Sequence, residues 1–135
     1  MSKETTFEEF LASTPGATEA IAYANAQQQK YNGWKNYETW LVGLWLGNDE
    51  QTYSYWQSVI EECREAVANG DGNPYADTPE QAVRIMLTDR LKETIENSKD
   101  DLLEENKLGA SMWADLLGAA LGSVDWVEIA DHMLD

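Results

Sequence analysis

The chain has 135 residues, of which 25 are acidic and 9 basic, so its formal net charge is −16 at neutral pH. This length can bury a core without disulfides, and the one cysteine, Cys63, cannot form an intrachain disulfide. The charge argues against binding nucleic-acid phosphates or anionic membranes, because no basic cluster is present. It favours a basic partner, a cation or a salt-rich environment.

The first 31 residues are predicted to form a helical extension ahead of a single domain over residues 32–135. Residues 5–12 form a short predicted helix, and Thr18 opens a second one with a weak apolar face. The N-terminus lacks a basic start before an apolar run, and no apolar stretch is long enough to span a membrane. We therefore expect a cytoplasmic protein.

Two helices are predicted at the start of the domain. Asn36 is placed to cap a helix over residues 37–47. This segment is apolar on almost every side, so it is expected to be the central buried helix, with a buried strand as the competing interpretation. Asp49 caps the next helix. Its core face is marked at steps of three and four by Tyr53, Trp56, Val59, Ile60, Cys63 and Val67.

Three further helices are predicted towards the C-terminus. Thr78 and Gln81 match a capping box with Pro79 at the first helical position, and the helix that they open is expected to end near Asn97. A polar break follows over residues 98–109, then a helix of small residues, and Ser123 is placed to cap the last helix. The chain is thus predicted to be all-α, an irregular bundle of six to seven helices.

Acidic residues gather in a row on the predicted third helix of the domain. Their steps of three and four would place them on one face, roughly 6 Å apart, if the helix were continuous. This spacing is comparable in scale to that of nucleic-acid phosphates, so the row could imitate a nucleic-acid backbone; the alternative is an ordinary solvated face. The predicted partner-binding residues are Asp89, Glu93, Glu96, Asp100, Asp101, Glu104 and Glu105, with Trp34 and Tyr37 as anchors.

Two further acidic groups and an aromatic cluster accompany this row. Glu61, Glu62 and Glu65 form one group, and the second lies on the last helix at Asp125, Glu128, Asp131 and Asp135. Trp40, Trp45 and Trp56 are expected to pack in the core, whereas Trp34 and Tyr37 lie beside a turn and are expected to be exposed. The aromatic cluster as a whole comprises Tyr31, Trp34, Tyr37, Trp40, Trp45, Tyr53, Tyr55 and Trp56.

Catalytic motifs are missing from the sequence. It contains no phosphate-binding glycine loop, no Cys-x-x-Cys and no serine elbow, and Cys63 lies on a predicted core face. Glu128 and His132 lie four residues apart and could share a divalent metal, but one histidine at a chain end is a weak signal, and a solvated C-terminal helix explains it. We expect no metal, no cofactor and no enzymatic activity.

The run Asn36-Tyr37-Glu38-Thr39-Trp40, followed by LVGLWLGNDE, resembles a family of small proteins of phages, plasmids and archaea with an NYETW signature. The ending ADLLGAALGSVDWVEIADHMLD is similar to that family's ending, so the resemblance covers residues 34–60 and 110–134. It implies no settled activity. Its viral association favours an inhibitor of a host restriction enzyme or CRISPR complex, acting in the host cytoplasm on a basic nucleic-acid site. The alternative is a regulatory module, which could be oligomeric, that binds a protein through its aromatic surface.

Overall fold

The computed structural model describes residues 16, 18–22 and 31–135. Within these ranges the chain is helical and has no strand, which confirms the all-α prediction. Residues 18–22 are helical, as expected for the second predicted helix, whereas the predicted helix over residues 5–12 lies outside the described residues. The longer helices are α1 (Tyr37–Asn48), α2 (Glu50–Ala68), α3 (Pro79–Glu105), α4 (Met112–Gly122) and α5 (Trp126–Leu134). The boundary between extension and domain at residue 32 stays a prediction.

Side-chain caps mark the starts of α1 and α3. The Asn36 Oδ1 atom accepts a hydrogen bond from the Thr39 backbone N–H at 2.9 Å, which confirms Asn36 as the cap of α1. At α3, Thr78 Oγ1 accepts from the Gln81 N–H at 3.1 Å, and Gln81 Oε1 accepts from the Asp77 N–H at 2.6 Å. Together with Pro79 at the first helical position, these two bonds form the predicted capping box. It differs from the usual form in that the Gln81 side chain accepts from the backbone N–H of Asp77 rather than from that of Thr78.

Two predicted boundaries are wrong. The helix expected to end near Asn97 continues to Glu105, because residues 98–105 contain no glycine or proline and Leu103 is buried. It ends where Lys107 adopts a left-handed conformation, with φ of 58°. The cap of α5 is Asp125 rather than Ser123; Ser123 instead closes the C-terminal end of α4.

The core lies between α2, α3 and α5, which pack against one another in the pairs α2–α3 and α3–α5. This corrects the prediction that α1 is the central buried helix: only Thr39 and Leu46 of α1 are buried, and Trp45 is 70% exposed. Trp56 is buried as predicted, and Trp40 is partly buried. The core consists of Leu46, Trp56, Val59, Ile60, Cys63, Val83, Leu87, Leu91, Val124, Trp126, Ile129 and Ala130.

A membrane-crossing helix would need both length and apolar character. In the part of the chain that the structure describes, none of the helices combines the two to the extent that a membrane span requires.

Candidate functional site

Three of the four carboxylates in the acidic group on α5 are bonded within the fold. Asp125 Oδ1 caps α5 by accepting from the Glu128 N–H at 3.1 Å, and its Oδ2 lies 3.7 Å from Lys35 Nζ. Glu128 Oε1 accepts from the Lys35 backbone N–H at 3.1 Å. Asp131 forms a two-pronged bond with Arg84 of α3, and this bond raises the pKa of the Arg84 guanidinium. These carboxylates therefore serve the packing of α5.

Two of the three carboxylates in the acidic group on α2 are also paired. Glu61 Oε1 accepts from Arg64 one turn along the helix at 3.0 Å, and Glu62 Oε2 accepts from Arg90 of α3 at 3.1 Å. The bond to Glu62 raises the pKa of the Arg90 guanidinium. Two of the arginines that could neutralise acids elsewhere are thus held at α2.

The third group is the α3 acidic row, which we define as Asp89, Glu93, Glu96, Asp100 and Glu104. Because α3 is one uninterrupted helix of 27 residues, the five side chains share a face over a length of roughly 22 Å. Glu96 is partly buried and the other four are exposed. The face lies opposite the buried Leu87 and Leu91.

Few basic groups neutralise the α3 acidic row. Lys99 Nζ lies 3.4 Å from Asp100 Oδ1, and Lys92 is exposed beside the row. Among the residues that the structure describes, the other four carboxylates of the row have no basic nitrogen within 4.0 Å. The α3 acidic row is therefore a continuous acidic face that the fold leaves largely unpaired.

The other predicted site residues lie away from this face. Asp101 and Glu105 are exposed but lie about 100° further around α3 than their neighbours in the row. Tyr37 is 47% exposed at the start of α1, as predicted. Trp34 is partly buried, contrary to expectation: its indole stacks on His132, with ring centroids 3.9 Å apart, and lies against Gly43, where an added Cβ would come within 3.0 Å. Neither Trp34 nor Tyr37 lies on α3.

The two sequence segments that carry the family resemblance are bonded to each other. Asn36 Nδ2 donates to the Ser123 carbonyl at 2.7 Å, and its Oδ1 accepts from Thr39 Oγ1 at 2.7 Å. Thr39 Oγ1, on a fully buried residue, in turn accepts from the Asp125 N–H at 2.9 Å. The signature thus ties the start of α1 to the turn between α4 and α5, which gives it a structural role.

A reactive thiol and a metal-binding cluster are both absent from the described residues. Cys63 is fully buried, and this burial raises the pKa of its thiol, so a nucleophilic thiolate is disfavoured. No three His, Cys, Asp or Glu side chains in the described ranges are arranged to hold a metal ion. A cavity of about 590 Å³ between the end of α2 and the start of α3 is mainly apolar, with Arg64 and Glu80 as its charged lining residues.

Sequence reasoning missed the surface of α4. None of its residues is buried, and four large apolar side chains are exposed although the helix has a single charged residue, Asp115. The absence of a polar face in residues 112–122 was a signal for this surface. A helix that is apolar on every side is usually buried, and a large apolar patch left exposed usually marks an interaction site. The exposed side chains are Met112, Trp113, Leu116 and Leu117, which we call the apolar stripe.

A comparison with protein families gives one match. A model described as "Family of unknown function (DUF7249)" matches residues 27–131, which include the α3 acidic row, the apolar stripe and the bonded residues Asn36, Thr39, Ser123 and Asp125. No curated protein and no solved structure matches the chain.

Proposed function

The chain belongs to this family of unknown function, and from its own surface we propose that it is a non-catalytic binding protein. In this proposal, the α3 acidic row docks into the basic nucleic-acid-binding site of another protein. Carboxylates one helical turn apart would take the places of successive phosphates, and the charge of the whole chain would steer the two proteins together.

What supports the proposal is the distribution of the basic residues. Residues 89–105 hold seven carboxylates and three basic side chains, and one of those three, Arg90, is bound to Glu62 of α2. Arg64, Arg84 and Lys35 are engaged with acids outside the row. A face that served only solubility would not need a continuous row with a single ion pair, since mixed charges give solubility as well.

The partner class that we propose is a nucleic-acid-handling enzyme of a host defence system, either a restriction enzyme or a CRISPR effector. The chain would then be a phage-encoded inhibitor acting in the host cytoplasm. This finer step rests on the resemblance of the NYETW signature to proteins of phages and plasmids, and on the negative charge. The α3 acidic row supports the coarser proposal, a basic nucleic-acid site, and does not by itself select the enzyme.

The test is capture of proteins from a bacterial lysate by the immobilised chain, at about 50 mM and about 500 mM salt. We expect nucleic-acid-binding proteins to be captured at low salt and to be displaced by added duplex DNA. A variant with Glu93→Lys, Glu96→Lys and Asp100→Lys should lose this capture while its helix content stays unchanged.

The matched control is the variant with Glu50→Lys, Glu65→Lys and Asp71→Lys, which alters net charge equally at exposed acids away from the row. It should keep the capture. Equal loss in both variants would mean that total charge matters rather than the row. Capture that survives the α3 substitutions, or that duplex DNA does not displace, would overturn the proposal.

A second candidate function is a regulatory module that binds a protein through exposed aromatic side chains. It is favoured by the exposure of Trp45, Tyr53 and Tyr55 on α1 and α2, since aromatic residues dominate interface hot spots. Capture through this surface would persist at high salt and would be lost on Trp45→Ala. The capture experiment at low and high salt therefore distinguishes the two candidate functions.

A further inference from the structure

Helix α4 carries an unusual distribution of side chains. Its inner side consists of the partly buried Ala114, Gly118 and Leu121, and Leu121 packs against the core. Ala120 lies on the outer side and is also partly buried. The apolar stripe points the other way: Trp113 is 55% exposed and Leu116 is 54% exposed. The larger apolar side chains are thus turned away from the body of the protein, which is the reverse of an ordinary surface helix.

The charge around α4 separates it from the rest of the molecule. Residues 106–124 contain one basic residue, Lys107, and one acidic residue, Asp115, in a chain of net charge −16. Two copies of the chain repel each other wherever their acidic faces meet, so self-association is possible only through a charge-poor surface. The apolar stripe meets this requirement for both partners at once.

The order of large and small residues along α4 is self-complementary. On the outer side of α4, large side chains occupy the first half, at Met112, Trp113, Leu116 and Leu117, and small ones follow at Ala119 and Ala120. An antiparallel pairing of two α4 helices about their middle sets Trp113 over the small Ala120 at each end and packs Leu116 beside Leu117 at the centre. A two-fold axis repeats each contact.

We propose that the apolar stripe is a homodimer interface in which two α4 helices pack antiparallel across a two-fold axis. The inference is independent of the proposed function of the α3 acidic row. A stable interface buries about 800 Å² per partner over about 20 to 30 residues, which is more than one face of an 11-residue helix offers. The dimer is therefore a weak one that forms as the protein concentration rises.

The test is sedimentation velocity of the full chain between about 10 µM and about 1 mM protein, at about 50 mM and about 500 mM salt. We expect a monomer–dimer equilibrium that shifts towards the dimer as salt screens the repulsion between the acidic chains. Leu116→Glu should raise the dimer dissociation constant at least about tenfold, and Trp113→Ala should raise it to a smaller extent.

The matched control is Val127→Glu, which places the same charge at another exposed aliphatic residue, 41% exposed, on α5. It should dimerise like the wild type. Circular dichroism and thermal unfolding establish that each variant is folded. A dimer that Leu116→Glu and Trp113→Ala leave intact, or that Val127→Glu disrupts equally, would overturn the proposal.

A monomer at every concentration and salt would also overturn it, and a hydrophobic dye then identifies what takes the place of the second copy. No dye binding by the monomer would mean that residues 1–30 of the same chain cover the stripe. Dye binding that Leu116→Glu abolishes would mean that the stripe is free and serves a different protein.

Discussion

Helices α3 and α4 are neighbours in the chain and in the fold, but they expose opposite chemistries. The outer face of α3 carries the acidic row with little internal neutralisation, and the outer face of α4 carries large apolar side chains beside a single charge. Each helix also has an inner face: Leu87 and Leu91 of α3 belong to the core, and Leu121 of α4 packs against it. Neither outer face is explained by packing within the described residues.

The difference between the two faces lies in the forces that act on them. Charge on α3 acts over a distance of about 8 Å in physiological salt and weakens as salt is added. Burial of the apolar stripe acts only on contact and is opposed by the repulsion between acidic chains, so salt strengthens it. One small domain can therefore hold two surfaces that respond to ionic strength with opposite signs.

The largest expected effect is this opposite response to salt. Capture of a nucleic-acid-binding protein should weaken more than about tenfold between 50 and 500 mM salt, while dimerisation should strengthen over the same range. The Glu93→Lys, Glu96→Lys, Asp100→Lys variant should lose capture yet dimerise more readily, because its net charge is smaller. Leu116→Glu should keep the capture and lose dimerisation. Binding measurements and sedimentation on the same samples check this, and variants that lose both activities together would show that the two faces form one surface.

The next largest effect concerns the junction that holds the end of α4. Thr39→Val removes the hydroxyl that donates to Asn36 and accepts from the Asp125 N–H in a fully buried position, so it should lower the free energy of unfolding by about 2 kcal/mol. Thr52→Val is the control, because the Thr52 hydroxyl bonds only at the exposed start of α2 and should cost less. Urea unfolding followed by tryptophan fluorescence measures both. Equal losses would show that the signature bonds contribute no more to the fold than an exposed cap does.

The sequence predicted what depends on neighbouring residues. The cap at Asn36, the capping box at Thr78 and the shared face of the α3 acidic row follow from local spacing, and each is present. The end of α3 was misplaced for a local reason as well: the polar residues 98–105 resemble a loop in composition, but Leu103 is buried and keeps them helical.

Exposure and pairing were harder to predict, because they depend on residues far apart in the chain. Trp45 belongs to an apolar segment, yet the α1 face that carries it is covered by no described helix. Asp131 and Glu93 look alike in sequence, but Asp131 is bound by Arg84, 47 residues away, whereas Glu93 is free of ion pairs among the described residues. The division of the acids into engaged and available groups therefore came only from the fold.

The smallest expected effect tests that division directly. Asp125→Ala removes the cap of α5 and the contact with Lys35, so it should lower the free energy of unfolding by about 1 kcal/mol. Glu93→Ala, on the α3 acidic row, should change it by less than about 0.5 kcal/mol, and removing one of several like charges favours a small gain. Urea unfolding at low salt compares the two. If Glu93→Ala cost as much as Asp125→Ala, the row would be part of the structural framework; a negligible cost, together with lost capture by the triple-lysine variant, is what a surface kept for a partner requires.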